Sequence, residues 1–300
     1  LDIGVKLLPL LSKQVEVEEI SLRKPVITVI TNKDGVMNVS TMGARKTSSS
    51  TAETGTPPSP DGNPLQLLAL FAVDRVSIEL ERGAVHAVIG TNGAGKSTLI
   101  NILSGETPPS SGRVELLGQD VTAWTQPRRA RAGLGRSYQR TTIFPSFSVL
   151  ENCRLAAQAH VQKPWHWWQR AQSCEVSSAD ARAAAGRAGL ADVLEREAGL
   201  LSHGQKRQLE IAMCLATRPQ VLLLDEPLAG MGAEETDRML GLLDELREGH
   251  AILLVEHDMD AVFRIADLLT VMVNGSVIAS DAPERIRSNA EVQAAYLGGH

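Results

Sequence analysis

Residues 90–98 read GTNGAGKST, and the flanks of this stretch decide the fold. Before it, residues 84–89 (AVHAVI) form an apolar, β-branched run that predicts a buried strand. After it, Leu99, Ile100, Ile102 and Leu103 predict a helix that stops at Gly105. The pattern GxxxxGK[ST] between a strand and a helix is a phosphate-binding loop. Its glycines let the backbone wrap, so that successive N–H groups and the helix N-terminus point at phosphates. Gly90, Thr91, Asn92, Gly93, Ala94, Gly95, Lys96, Ser97 and Thr98 are therefore candidate nucleotide-binding residues. Lys96 places a point charge between the outer phosphates, and the Ser97 hydroxyl can ligate Mg2+.

Two further strand ends carry chemistry. Residues 221–226 read VLLLDE, a buried strand that delivers two carboxylates at its C-terminal end, where parallel sheets bind ligands. Asp225 is expected in the magnesium shell, and Glu226 is expected to polarise the attacking water. Residues 252–255 (ILLV) end in Glu256, His257 and Asp258, and His257 can bond a γ-phosphate and orient water beside Glu226. Gln139, in GRSYQ, supplies an amide that reaches toward the metal or the water. The candidate set is Glu226, His257 and Gln139 for hydrolysis, with Ser97, Gln139 and Asp225 for the metal. Residues 268–273 (LLTVMV) add another strand, and from residue 65 onward such runs alternate with helical stretches. That is the pattern of an α/β domain built on a largely parallel sheet.

Residues 201–205 read LSHGQ, ahead of a helix over 205–216 whose apolar face carries Leu209, Ala212 and Leu215. The N-terminus of that helix offers free N–H groups and a positive dipole end to an anion. In order and spacing, GTNGAGKST, Gln139, LSHGQ, VLLLDEP and the histidine of EHD resemble the ATP-binding cassette (ABC) family, over residues 70–300. The resemblance implies the P-loop NTPase fold of ABC ATPases, with an antiparallel β subdomain and a helical subdomain over 146–205. It implies ATP and Mg2+ as ligands and an ATP hydrolase. It also implies a head-to-tail dimer in which Ser202, Gly204 and Gln205 touch the nucleotide held by a second ATPase subunit, identical or not.

The other partners it implies are transmembrane permease subunits in trans, whose coupling helix docks on the helical subdomain, and indirectly a periplasmic solute-binding protein. The place implied is the cytoplasmic face of the inner membrane, as a peripheral subunit. His203 in LSHGQ and a C-terminal helix over 282–298 resemble the subgroup that energises branched-chain amino acid uptake. Branched-chain amino acids, or a related small solute such as urea, are the expected cargo. Two rival readings stand beside this one: a cassette with impaired hydrolysis, and a soluble, non-transport ABC ATPase.

Two positions depart from the family pattern. Leu67, Leu68 and Ala69 stand where an adenine-stacking aromatic is expected, unless Phe71 substitutes, so weak ATP binding is expected. Gly232 stands where the loop crossing the dimer interface carries Asp. Residues 1–43 hold β-type runs and resemble a fragment of the AsmA family of bacterial envelope proteins, a small β-rich appendage to the cassette. Residues 44–64 are dense in Ser, Thr, Pro and Gly and read as a flexible linker. Trp165, Trp167 and Trp168 read as packing inside a helical hairpin, with an exposed contact patch as the alternative.

Bulk properties set limits on all of this. The 300 residues are 43% hydrophobic and 22% charged, the balance of a globular chain with room for two domains. A net charge of −5 supplies no basic field, so no nucleic-acid partner is expected. No apolar run approaches the ~20 residues that cross a bilayer. Cys153, Cys174 and Cys214 are too few and too widely spaced for a disulfide framework, which fits a reducing compartment, and they read as small buried apolar residues. No signal-peptide pattern follows Leu1.

Overall fold

The computed structural model describes residues 27–29, 73–139, 142–161 and 174–297. Its centre is a six-stranded sheet in the order β5-β6-β7-β2-β8-β9. These strands are β2 (Val85–Gly90), β5 (Leu134–Arg136), β6 (Val221–Asp225), β7 (Ala251–Val255), β8 (Leu268–Val273) and β9 (Ser276–Asp281). β2 lies inside, parallel to β7 on one side and to β8 on the other. β5, β6 and β7 continue the parallel run, and β9 closes the far edge as an antiparallel hairpin with β8. Every residue of β2, β6 and β7 is buried, which is why these strands read as unbroken apolar runs rather than alternating ones.

Each face of the sheet has its own core. Leu222, Leu224, Ile252 and Leu254 face one layer, formed by helices α5 (His203–Ala216), α6 (Ala233–Arg247) and α7 (Met259–Ile265). Val221, Leu223, Leu253 and Val255 face the other, where Leu99, Ile100 and Leu103 of α1 (Lys96–Ser104) pack. The period of two along each strand thus places the phosphate-loop helix on one side and α5, the helix after LSHGQ, on the other. α2 (Gln126–Arg131) leads into β5.

The helical subdomain holds α3 (Val149–Val161), α4 (Glu175–Arg187) and the first turns of α5. Its core is built of small side chains, Cys153, Ala157, Ala181, Ala184 and Ala185, all buried. Cys153 and Cys214 are buried as expected, and burial pushes both thiols up to about 12. Cys174 differs, being only half buried at the start of α4.

Three expectations are revised. First, part of the N-terminal stretch belongs to the cassette's own antiparallel sheet: β1 (Ile27–Val29) pairs with β3 (Val114–Leu116), which pairs with β4 (Gln119–Asp120). Among the described residues, β1 is the strand that covers this edge of β3. Second, the C-terminal helix is two helices, α8 (Pro283–Arg287) and α9 (Ala290–Leu297). The break falls at Asn289, whose Oδ1 accepts the N–H groups of Glu291 and Val292 and so restarts the helix as a cap. Third, α5 begins two positions earlier than expected, at His203. The linker 44–64, the tryptophans at 165–168, the adenine-stacking region at 67–71 and, apart from Ile27–Val29, the stretch 1–43 lie outside the described residues. Among the described residues, no helix is long and apolar enough to cross a membrane.

Candidate nucleotide-binding and hydrolysis site

The phosphate loop joins the end of β2 to α1 through left-handed backbone at Gly93 (φ 81°) and Gly95 (φ 99°). Gly90 is required for a different reason. A Cβ there would lie 2.4 Å from Met272 O and 2.9 Å from Ala94 Cβ. Lys96 is buried, and its Nζ donates to Gly90 O at 2.8 Å and Thr91 O at 3.1 Å. Burial lowers its pKa, while the carboxylates of Glu226 and Asp225 work against that shift. The loop, Asn101, Gln139, Glu226 and His257 line one cleft of about 380 Å³.

Asp225 ends β6 and is buried, with its N–H donating to Ser137 Oγ at 3.2 Å. Its Oδ1 has no hydrogen-bond partner. Burial and the neighbouring Glu226 charge raise its pKa. A buried carboxylate oxygen without a donor suits a bound cation. Ser97 and Gln139 line the cleft next to Glu226, the residue that follows Asp225, and carboxylate, hydroxyl and amide oxygens are the donors a hard cation takes, so the residue types present fit Mg2+.

Glu226 turns out of the strand at φ 51°, in the left-handed region. Its carboxylate accepts from His257 Nε2 at 2.8 Å and from Gln139 Nε2 at 3.0 Å. Because the carboxylate only accepts, the His257 proton sits on Nε2. The acid, the imidazole and the amide read from three separate stretches therefore meet at one point, beside the phosphate loop.

The LSHGQ turn lies elsewhere, in a small pocket shared with Met231, Glu235 and Arg238. Its chemistry differs in detail from the expectation. The Gln205 N–H is not free: Ser202 Oγ accepts it at 3.2 Å, while Gln205 Oε1 accepts Ser202 N–H at 3.1 Å, a reciprocal cap. Glu235 of α6 stands against the turn, its Oε1 3.4 Å from Ser202 Oγ and 2.7 Å from the place of a Cβ on Gly204. Gly232 serves as the first cap of α6 without a side-chain bond.

Sequence reasoning missed Arg207 and Glu210. Arg207 donates to Tyr138 O at 3.3 Å, Gln139 O at 3.0 Å and Glu210 Oε2 at 2.9 Å. Glu210 Oε1 accepts Thr142 N–H at 3.1 Å. The pair straps the Gln139 segment onto α5. Its only sequence signal was an Arg and a Glu three apart on a helix, which reads as a solvated pair.

A phosphate loop facing an orphaned strand-end carboxylate and a carboxylate–imidazole pair, on a mostly parallel sheet, defines a P-loop nucleoside triphosphatase. Residues 73–229 match the family described as ABC transporter, and the chain belongs to that family as an ABC-type ATP hydrolase. Residues 276–300 match the family described as branched-chain amino acid ATP-binding cassette transporter. The chain is 36% identical over 236 residues to the high-affinity branched-chain amino acid transport ATP-binding protein BraF of Pseudomonas aeruginosa, covering 76% of this chain and 92% of that one. It is 37% identical over 238 residues to LivG, of the same description, from Escherichia coli K12, with the same coverage. Among solved structures, a nucleotide-free ATP-binding cassette from an ABC transporter matches with a TM-score of 0.68 at 31% identity, covering 75% of this chain and 93% of that one. The ADP conformation of such a cassette matches with a TM-score of 0.66 at 29% identity, covering 75% and 92%.

Proposed function

We propose that the chain is the ATPase subunit of an importer for branched-chain amino acids or a related small solute such as urea. The match of residues 276–300 to the branched-chain amino acid cassette family carries the substrate class. The subunit works at the cytoplasmic face of the inner membrane, on permease subunits in trans, which a periplasmic binding protein supplies with solute. Residues 65–300 form the cassette, to whose antiparallel sheet Ile27–Val29 adds a strand, and 146–205 form its helical part.

In this reading Gly90 to Thr98 wrap the triphosphate and Lys96 leaves its loop carbonyls for phosphate oxygens. Ser97, Gln139 and Asp225 would hold Mg2+, which neutralises charge on the outer phosphates. Glu226 takes the proton of the attacking water. His257 donates from Nε2, holding Glu226 in place before nucleotide arrives and turning to the γ-phosphate afterwards. Ser202, Gly204 and Gln205 close over the nucleotide of a second subunit. The reading is tested by reconstituting the chain with the permease pair and solute-binding protein from neighbouring reading frames in right-side-out vesicles loaded with ATP, and following uptake of leucine and urea. ATP-dependent uptake of either supports it, and uptake of neither, with ATPase activity intact, overturns the cargo assignment.

A further inference from the structure

Glu256 is the buried carboxyl that this reading leaves without a role. It follows β7 directly and is only 3% exposed. Its Oε1 accepts Leu228 N–H at 2.7 Å, and its Oε2 accepts His257 N–H at 3.1 Å. These two amides belong to different loops. Leu228 lies just past Glu226 on the loop leaving β6, whereas His257 opens the loop leaving β7. One side chain therefore holds both backbones that carry the reactive pair.

The hold has something to resist. Glu226 sits at φ 51°, a backbone conformation that a residue with a Cβ keeps only where its surroundings enforce it. The Glu226 N–H to Val255 O bond, at 2.9 Å, fixes the start of the loop, and the Glu256 bond to Leu228 fixes it on the other side of Glu226. We propose that Glu256 is a positioning residue for ATP hydrolysis: its carboxylate clamps the two loops so that Glu226 and His257 keep their 2.8 Å register. The inference rests on the reading of Glu226 and His257 as the hydrolytic pair.

A carboxylate is the side chain that this role requires. Two N–H donors converge on it, and an ionised acid offers a strong acceptor oxygen to each. Gln offers one oxygen and turns an NH2 group toward the other donor, leaving a buried N–H unpaired. Asp keeps the charge but is one methylene too short to serve both loops. Burial, with the charges of Glu226 and Asp258, raises the acid to about 7, while the Leu228 and His257 N–H groups pull the other way and favour the ionised form.

The test uses the full chain with Glu256→Gln and Glu256→Asp, beside Glu226→Gln and His257→Ala. Turnover is measured across ATP concentration, the ATP Kd with a fluorescent analogue, and folding by thermal melting. The clamp predicts that both Glu256 variants melt cooperatively, hold ATP within about threefold of the wild-type Kd, and lose about 10- to 100-fold in kcat, the scale of a slight misplacement of reacting groups. A Gln variant that fails to fold leaves the Asp variant, with its charge intact, to give the same split. Unchanged kcat in a folded Glu256 variant, with Glu226→Gln inactive, overturns the clamp alone. Unchanged kcat in Glu226→Gln and His257→Ala overturns the reading of the pair on which the clamp rests.

Discussion

Replacing Glu226 by Gln exchanges one oxygen for an NH2 group and keeps the side chain's length and shape. The geometry shows why the fold should tolerate the change. Glu226 now accepts from Gln139 Nε2 at 3.0 Å and from His257 Nε2 at 2.8 Å. In the variant the amide oxygen can keep the Gln139 bond, and the NH2 group can donate to His257 once the imidazole carries its proton on Nδ1. Neither contact need be lost, and the phosphate loop is untouched. What disappears is the ability to take a proton from water. A positioned general base contributes about 10²–10⁴-fold, or about 3–5 kcal/mol of barrier. Turnover of the purified variant should fall by that factor while the ATP Kd stays within about twofold. Steady-state phosphate release and titration with a fluorescent ATP analogue measure the two quantities. A variant turning over within about threefold of wild type would refute the general-base assignment, since that is under 1 kcal/mol.

Gly90→Ala should destabilise the fold by about 1–3 kcal/mol or more, because its Cβ meets backbone at Met272 O rather than a movable side chain; a denaturant midpoint equal to wild type counts against this. Arg207→Met should cost about 3–5 kcal/mol by leaving Glu210 buried without its cation, and adding Glu210→Met should recover part of that cost; urea melts that show simple additivity would sink the strap. His86, buried and lowered to about 4, donates from Nδ1 to Glu79 O and accepts from Thr270 on Nε2. Its stabilising contribution is full above about 6.5 and is lost as pH falls toward about 4, about 3 kcal/mol in all, so His86→Gln should have a flatter acid limb than wild type in urea melts across pH 7 to 4. Glu256 has the opposite sign: with its acid raised to about 7, its contribution is full below about 4.5 and is lost as pH rises through about 7, and Glu256→Gln should remove that loss.

The parts of this fold that could be read from sequence are those where chemistry and backbone preference sit in the same few residues. GTNGAGKST contains its own glycines, lysine and hydroxyl, and β6 and β7 carry their apolar runs into the acids and the histidine that they deliver. Placing Glu226 beside His257 then needed only adjacent parallel strands, and β6 and β7 are paired in register with Asp225 opposite Val255. Glu256 belongs to the same stretch yet escaped notice, because its partner Leu228 N–H is 28 positions away and on the neighbouring loop. Arg207 bonds carbonyls 68 and 69 positions away, and the strand at Ile27–Val29 pairs across an even longer interval. A charge is read from sequence as solvated unless a partner is local, and these partners exist only after the sheet has assembled. The side chains most easily missed are thus those that hold a legible site in place. Glu256 and Arg207 are both of this kind, one binding the loops after β6 and β7 to each other, the other binding Gln139 to the helix that starts at His203.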